Sequence, residues 1–217
     1  MMNKRERGKK RRGAVMVYRI ALFIHVTGAL ALFIAVGLNF LSMLRMRQAG
    51  EMSRFREWAM LSRSAGRAIL LAILCIAGSA FYMVTTAWGW QTAWVDVVLG
   101  TFLAHGVLVS AIENPRLGAL HKAARRGAAG PVPAEVQAQA RHPLLWLCEC
   151  VVTGTTLGMI FLMAVKPDLV GSLAAIGVSL GLSLLAARPF CRRRRAPASV
   201  RVSVPAPATR TLSGKVA

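Results

Sequence analysis

Apolar residues run through this chain in five long blocks, and the polar residues gather between them. A helix rises about 1.5 Å per residue, so roughly 20 apolar residues cross a hydrocarbon core about 30 Å thick. On that measure the pattern predicts membrane spans over 17–43, 68–88, 94–112, 144–165 and 169–187. Lipid offers the backbone no hydrogen-bond partner outside its own segment, so each span is expected to be a helix. The apolar/polar alternation of a membrane barrel strand is absent. The expected fold is an all-α polytopic transmembrane helical bundle, its membrane domain covering 16–188.

The polar connections are unequal in charge. The first holds Arg45, Arg47, Arg54, Arg56, Arg63 and Arg67, and the third holds Arg116, Lys122, Arg125, Arg126 and Arg141. The segment after the fifth span opens with Arg188 and continues with Arg192 to Arg195. The second connection has no Lys or Arg, and the fourth has only Lys166. By the positive-inside rule the basic segments are cytoplasmic and the two hairpin tips external, an N-out/C-in arrangement. Residues 1–15 oppose it, with Lys4, Arg5, Arg7, Lys9, Lys10, Arg11 and Arg12. Either translation begins at Met16, leaving this basic leader untranslated, or the first span is frustrated or inverted. A cleaved signal peptide fits less well, since the apolar run is too long and no cleavage site precedes its polar end.

Finer features follow from local patterning. Phe55, Trp58, Ala59 and Ser62 share one helical face within 53–64, which reads as a short helix lying on the inner leaflet. Trp88, Trp90 and Trp94 around Gly89 read as an aromatic belt at the outer interface. Residues 113–143 read as the longest loop, broken by Gly127, Gly130, Pro131 and Pro133, with a short helix over Ala134–Ala140. Residues 189–217 read as a basic, disordered cytoplasmic tail. Gly154 with Gly158, and Gly177 with Gly181, form two small-xxx-small pairs. Folding the chain about Pro167 brings them level, so the pattern predicts a close hairpin of spans four and five.

Composition narrows the function classes. The chain has 217 residues, 55% of them hydrophobic, and a formal net charge of +20. That charge flanks apolar spans and accompanies no nucleic-acid-binding motif, so the expected partners are the bilayer and its anionic headgroups, not nucleic acid. A homo-oligomer is compatible with the pattern. Cys75, Cys148 and Cys150 lie inside spans, Cys191 follows the last, and their spacing suits neither a disulfide framework nor zinc. The ten methionines are scattered, not clustered as a copper site would require. No nucleotide loop, hydrolase elbow or metalloprotease motif is present, and no catalytic residue or metal ligand set is assigned.

Ionisable groups inside spans are costly and so are the first candidates for function. They are His25, His105 and Glu149, with Asp96 near an outer end. His25 lies about 10 Å from the outer face, His105 about 18 Å, and Glu149 about 8 Å from the inner face. Two chemical readings are open beside simple satisfaction by neighbours. His25 and His105 could be axial ligands of a haem b between helices. Alternatively, His105 and Glu149 could form a proton- or metal-handling pair. Thr27, Asn39, Ser79, Thr85, Thr101, Thr153, Thr155 and Thr156 read as interhelical glue.

The segments Tyr18-Arg19-Ile20, His25-Val26-Thr27-Gly28, Trp88-Gly89-Trp90-Gln91-Thr92-Ala93-Trp94 and Phe161-Leu162-Met163-Ala164-Val165-Lys166-Pro167-Asp168 resemble domain-of-unknown-function family 2269, bacterial predicted integral membrane proteins. The likeness covers roughly residues 17–188 and implies a bacterial inner-membrane protein without naming an activity. A looser likeness, confined to His25 and Gly28, joins the first span to the copper-resistance D proteins and membrane protoporphyrinogen oxidases. Leu32-Phe33-Ile34 stands where those families carry an aromatic-glycine pattern. The leading expectation is a non-enzymatic membrane module for small-solute passage or partner binding. The alternative is a haem- or metal-binding redox protein.

Overall fold

The computed structural model describes residues 4–191, with side chains from Arg12 onward. Most of the predicted tail, and the side chains of 4–11 in the basic leader, lie outside the described residues. The helices are α1 (Lys4–Gln48), α2 (Met52–Met83), α3 (Ala93–Leu108), α4 (Asn114–Arg126), α5 (Ala134–Ala140), α6 (Pro143–Val165) and α7 (Leu169–Cys191). Wider π-type turns over Val84–Trp88 and Val109–Glu113 extend α2 and join α3 to α4. Among the described residues the sole β pairing is an isolated bridge between Glu51 and Pro131.

Five helical stretches are long and apolar enough to cross a bilayer: Arg12–Gln48, Met52–Trp88, Ala93–Arg126, Ala134–Val165 and Leu169–Cys191. Each predicted span falls within one of them. Their outward faces carry Phe23, Leu30, Val107, Val170 and Leu182, all exposed as lipid-facing residues must be. The protein is an all-α, multi-pass membrane bundle.

Two antiparallel hairpins form its frame. In the first, α1 and α2 approach closely at Gly28, where an added Cβ would lie 3.0 Å from Ile76 and 3.5 Å from the Ala72 carbonyl. In the second, α6 presents Gly154 to Ser183 and Gly158 to Ser179. The expected pairing with Gly177 and Gly181 is corrected here, because a Cβ on either would meet nothing within 4 Å. The hairpin register is close to that expected from Pro167, but the face differs. Two residues along a helix turn it by about 200°, so Gly177 and Gly181 point away when Ser179 and Ser183 point in. The buried residues of α7, Ser172, Ser183 and Ala187, mark the same inward face.

At the end carrying the arginine-rich connections, the helices run past the predicted spans and close over a dense core. Met43, Met46, Met52, Phe55, Leu120, Leu145 and Trp146 are fully buried there. The face predicted over 53–64 is real in composition, but it packs inside the protein. Phe55, Ala59 and Ser62 are buried, and they belong to the first half of a continuous α2, not to a separate surface helix. Likewise 113–143 is not mainly loop: α4 continues α3, and the irregular parts are 127–133 and the two-residue turn at Arg141 and His142. The 127–133 strip is tied down by Met52 N–H to the Gly130 carbonyl at 2.8 Å and Val132 N–H to the Gly50 carbonyl at 3.0 Å. Arg56 donates to the carbonyls of Ala124 (3.0 Å) and Gly127 (2.7 Å), satisfying the open C-terminus of α4.

Trp146 ties the core to both hairpins. Its ring stacks on Phe190 with centroids 4.6 Å apart, meets Phe40 edge-on at 5.9 Å, and its Nε1 donates to the Ala140 carbonyl at 2.9 Å. Pro189, Phe190 and Cys191, expected in the tail, are therefore the last turn of α7. At the opposite end Trp88 meets Trp94 edge-on at 5.5 Å, and the Lys166 ammonium sits 4.2 Å from the Trp88 ring centroid. That cation–π contact joins the two predicted external tips.

Candidate functional site

Four helical segments bring polar side chains together just above the basic-end core. Asn39 comes from α1, Ser62 from α2, Glu113 from the π turn after α3, and Glu149 from α6. All four are buried, Glu149 at 3% and Glu113 at 6% exposure. Asn39 is the hub. Its Nδ2 donates toward Glu113 Oε1 at 3.4 Å and Glu149 Oε1 at 3.4 Å, while its Oδ1 accepts from the Ser62 hydroxyl at 2.9 Å. The Ser62 oxygen in turn lies 3.3 Å from His121 Nε2. Because Ser62 gives its proton to Asn39, it must accept from His121, which fixes the donor on that ring as Nε2. Cys148 Sγ lies 3.9 Å from Glu113 Oε2.

The two carboxyl groups thus converge on one amide, each placing an oxygen 3.4 Å from Asn39 Nδ2. Ionised carboxylates are acceptors only, and the donors that face them are the Asn39 amide and the Cys148 thiol. Among the described residues the pair's hydrogen-bond partners are Asn39 and Cys148, neither of them a cation. A buried carboxylate left without a cation is costly, and a proton held at the pair would offset that cost. Asn39 holds the pair without relaying protons, because its amide would have to pass through an imidic acid to do so.

The π turn is what turns Glu113 inward. Asn114 N–H bonds the Val109 carbonyl, one residue further back than an α-helix would reach. Pro115 follows directly at the start of α4 and can neither donate to the ladder nor tolerate a tight preceding carbonyl. The wider turn accommodates its ring and moves residue 113 toward α6.

The intramembrane residues singled out from sequence are placed separately. His25 Nδ1 lies 3.3 Å from Ser79 Oγ of α2, and His105 Nε2 lies 2.5 Å from Thr155 Oγ1 of α6. Each imidazole is thus engaged by a hydroxyl on a different helix. The structure does not pair His105 with Glu149: His105 bonds Thr155, one helical turn and more beyond Glu149 on α6. Asp96 is exposed in the first turn of α3, where the helix dipole favours an acid. Asn39 and Ser62 escaped attention as site residues because each read as glue or as part of a surface face. Glu113 escaped because it fell one residue beyond a predicted span. Its signal in the sequence was Pro115, whose place in a continuing helix calls for a wide turn beside an acid. No family model, curated protein or solved structure matches this chain.

Proposed function

We propose that this protein is a non-enzymatic module of a bacterial inner membrane that passes a small solute, with a proton exchanged at the Glu113–Glu149 pair. Its basic end faces the cytoplasm and its N-terminus lies outside. The observation that carries this reading is a pair of carboxyl groups buried among membrane helices and both held by Asn39, with no cation among their hydrogen-bond partners in the described residues. Ionisable groups so placed commonly mark ion and proton pathways. The proton-handling pair anticipated at His105 and Glu149 becomes one of two carboxyls, with His105 left to Thr155.

The test is proton entry into reconstituted vesicles holding a pH-sensitive dye, after an external acid pulse. Wild-type vesicles are expected to acidify faster than protein-free ones, and E149Q and E113Q vesicles are expected to match the protein-free rate. Equal rates for wild type and E149Q, or for wild type and empty vesicles, would overturn the proposal. Haem ligation through His105 Nε2 would have to displace Thr155. A Soret band in the purified protein would bring that reading back.

A further inference from the structure

A second site lies beside this network, at the basic end. A cavity of about 620 Å³ opens between α2 and α4, lined by Arg63, Gly118, His121, Lys122, Arg125 and Arg126. We propose that this cleft binds a phosphate group, carried either by an anionic lipid or by a soluble phosphate compound.

The argument begins with charge. Lys122, Arg125 and Arg126 on the last turns of α4 have an ordinary explanation, since cations there complement the helix dipole. Arg63 does not share it. It comes from α2, yet lines the same cavity and acts electrostatically on His121. Four cationic side chains from two helices converge on one space, and among the described residues the lining includes no carboxylate. All four are exposed, so water screens part of their mutual repulsion, and an anion seated among them would relieve the rest. Guanidinium groups offer paired N–H donors that match phosphate oxygens, and three of the four cations are arginines. Size agrees as well, because ligand clefts commonly enclose about 300–1,000 Å³.

Gly118 supplies the room. A Cβ there would meet nothing within 4 Å, so the missing side chain leaves that wall of the cleft open. His121 reaches both sites, lining the cleft while it bonds Ser62 of the carboxyl network. The cleft's claim to phosphate is nevertheless independent of whether protons move at Glu113 and Glu149.

Full-length protein, stripped of lipid in neutral detergent, is titrated with inorganic phosphate and followed by ³¹P line broadening. In parallel, protein in nanodiscs of phosphatidylcholine with phosphatidylglycerol is analysed by native mass spectrometry for retained lipid. Saturable binding of inorganic phosphate identifies a soluble phosphate ligand, and retention of phosphatidylglycerol over phosphatidylcholine identifies a lipid. In whichever arm is positive, R63Q and R125Q should each weaken binding by about tenfold or more, as loss of a charge-assisted hydrogen bond implies. G118W keeps every charge but fills the cleft, and it should also abolish binding. Binding that survives G118W would reveal a merely solvated basic face and overturn the proposal. So would the absence of both saturable phosphate binding and selective lipid retention in folded wild-type protein.

Discussion

The two ends of this bundle are built on different principles. At the basic end, Phe55 and Trp146 are 0% exposed, and helices α1, α2, α4, α5 and α6 close around them as in a water-soluble domain. Toward the tryptophan end, Phe23 is 70% exposed and Val170 74%; Leu162 and Met83 are buried there, but the close approaches between helices run along narrow seams of glycine, serine and alanine. The difference follows from the surroundings. In lipid an apolar side chain gains little by turning inward, so helices meet through small residues and hydrogen bonds. Where helices emerge toward water the hydrophobic effect returns and large residues are buried. The carboxyl pair lies at the junction, where the seam widens into the core.

Truncation should expose this contrast most strongly. Trp146→Ala removes the ring that joins Phe40, Phe190 and the Ala140 carbonyl, and is expected to cost about 3–5 kcal/mol. Phe23→Ala at the lipid-facing surface should leave the thermal midpoint in detergent nearly unchanged. If both substitutions shifted that midpoint equally, the two ends would not differ as described. A second contrast lies within one hairpin. Gly154→Leu drives a side chain into Ser183 and should destabilise the α6–α7 contact by about 1–3 kcal/mol, whereas Gly177→Leu should be tolerated. Thermal unfolding of the two variants side by side decides which face of α7 is the seam.

Smaller effects sharpen the boundary. Asn39→Leu leaves both carboxyls and the Ser62 hydroxyl short of a partner, for an expected loss of about 1–3 kcal/mol. Restoring Asn39→Gln should not recover the wild-type midpoint if the hub depends on reach as well as chemistry. The smallest change is expected at the far end. Trp88→Ala removes the ring beneath Lys166, a contact of about 0.5–1 kcal/mol where it is exposed. Disulfide trapping between cysteines placed at 88 and 166 would check that the two tips meet.

Some of this arrangement is legible in the sequence alone. The five apolar blocks are long enough to cross a bilayer, and that requirement alone makes them helices. The α5 helix over Ala134–Ala140 was visible from its flanking Pro133 and its composition. The approximate register of α6 against α7 came from Pro167. Less was legible at the site. Glu149 is conspicuous as an acid in an apolar stretch, and depth makes His105 one candidate partner for it. Depth along the membrane normal says nothing about rotation around a helix axis, and rotation put Glu113 rather than His105 beside it. The same ambiguity sent Gly177 and Gly181 to the wrong side of α7. Phe55 and Ser62 lay on a correctly identified face, but that face had two candidate coverings, lipid headgroups or another helix.

What the sequence determines here is set by the solvent: apolar length, helicity, the number of spans that fit, and the segregation of Arg and Lys to alternate connections. These depend on the energy of each segment in lipid and water, and each segment can be read by itself. Only the tertiary structure decides which faces meet. A π turn over Val109–Glu113, before Pro115, brings Glu113 inward, and Asn39 reaches side chains from three other helical segments. Such choices depend on the rotation and close approach of several helices at once, which no single stretch of residues encodes.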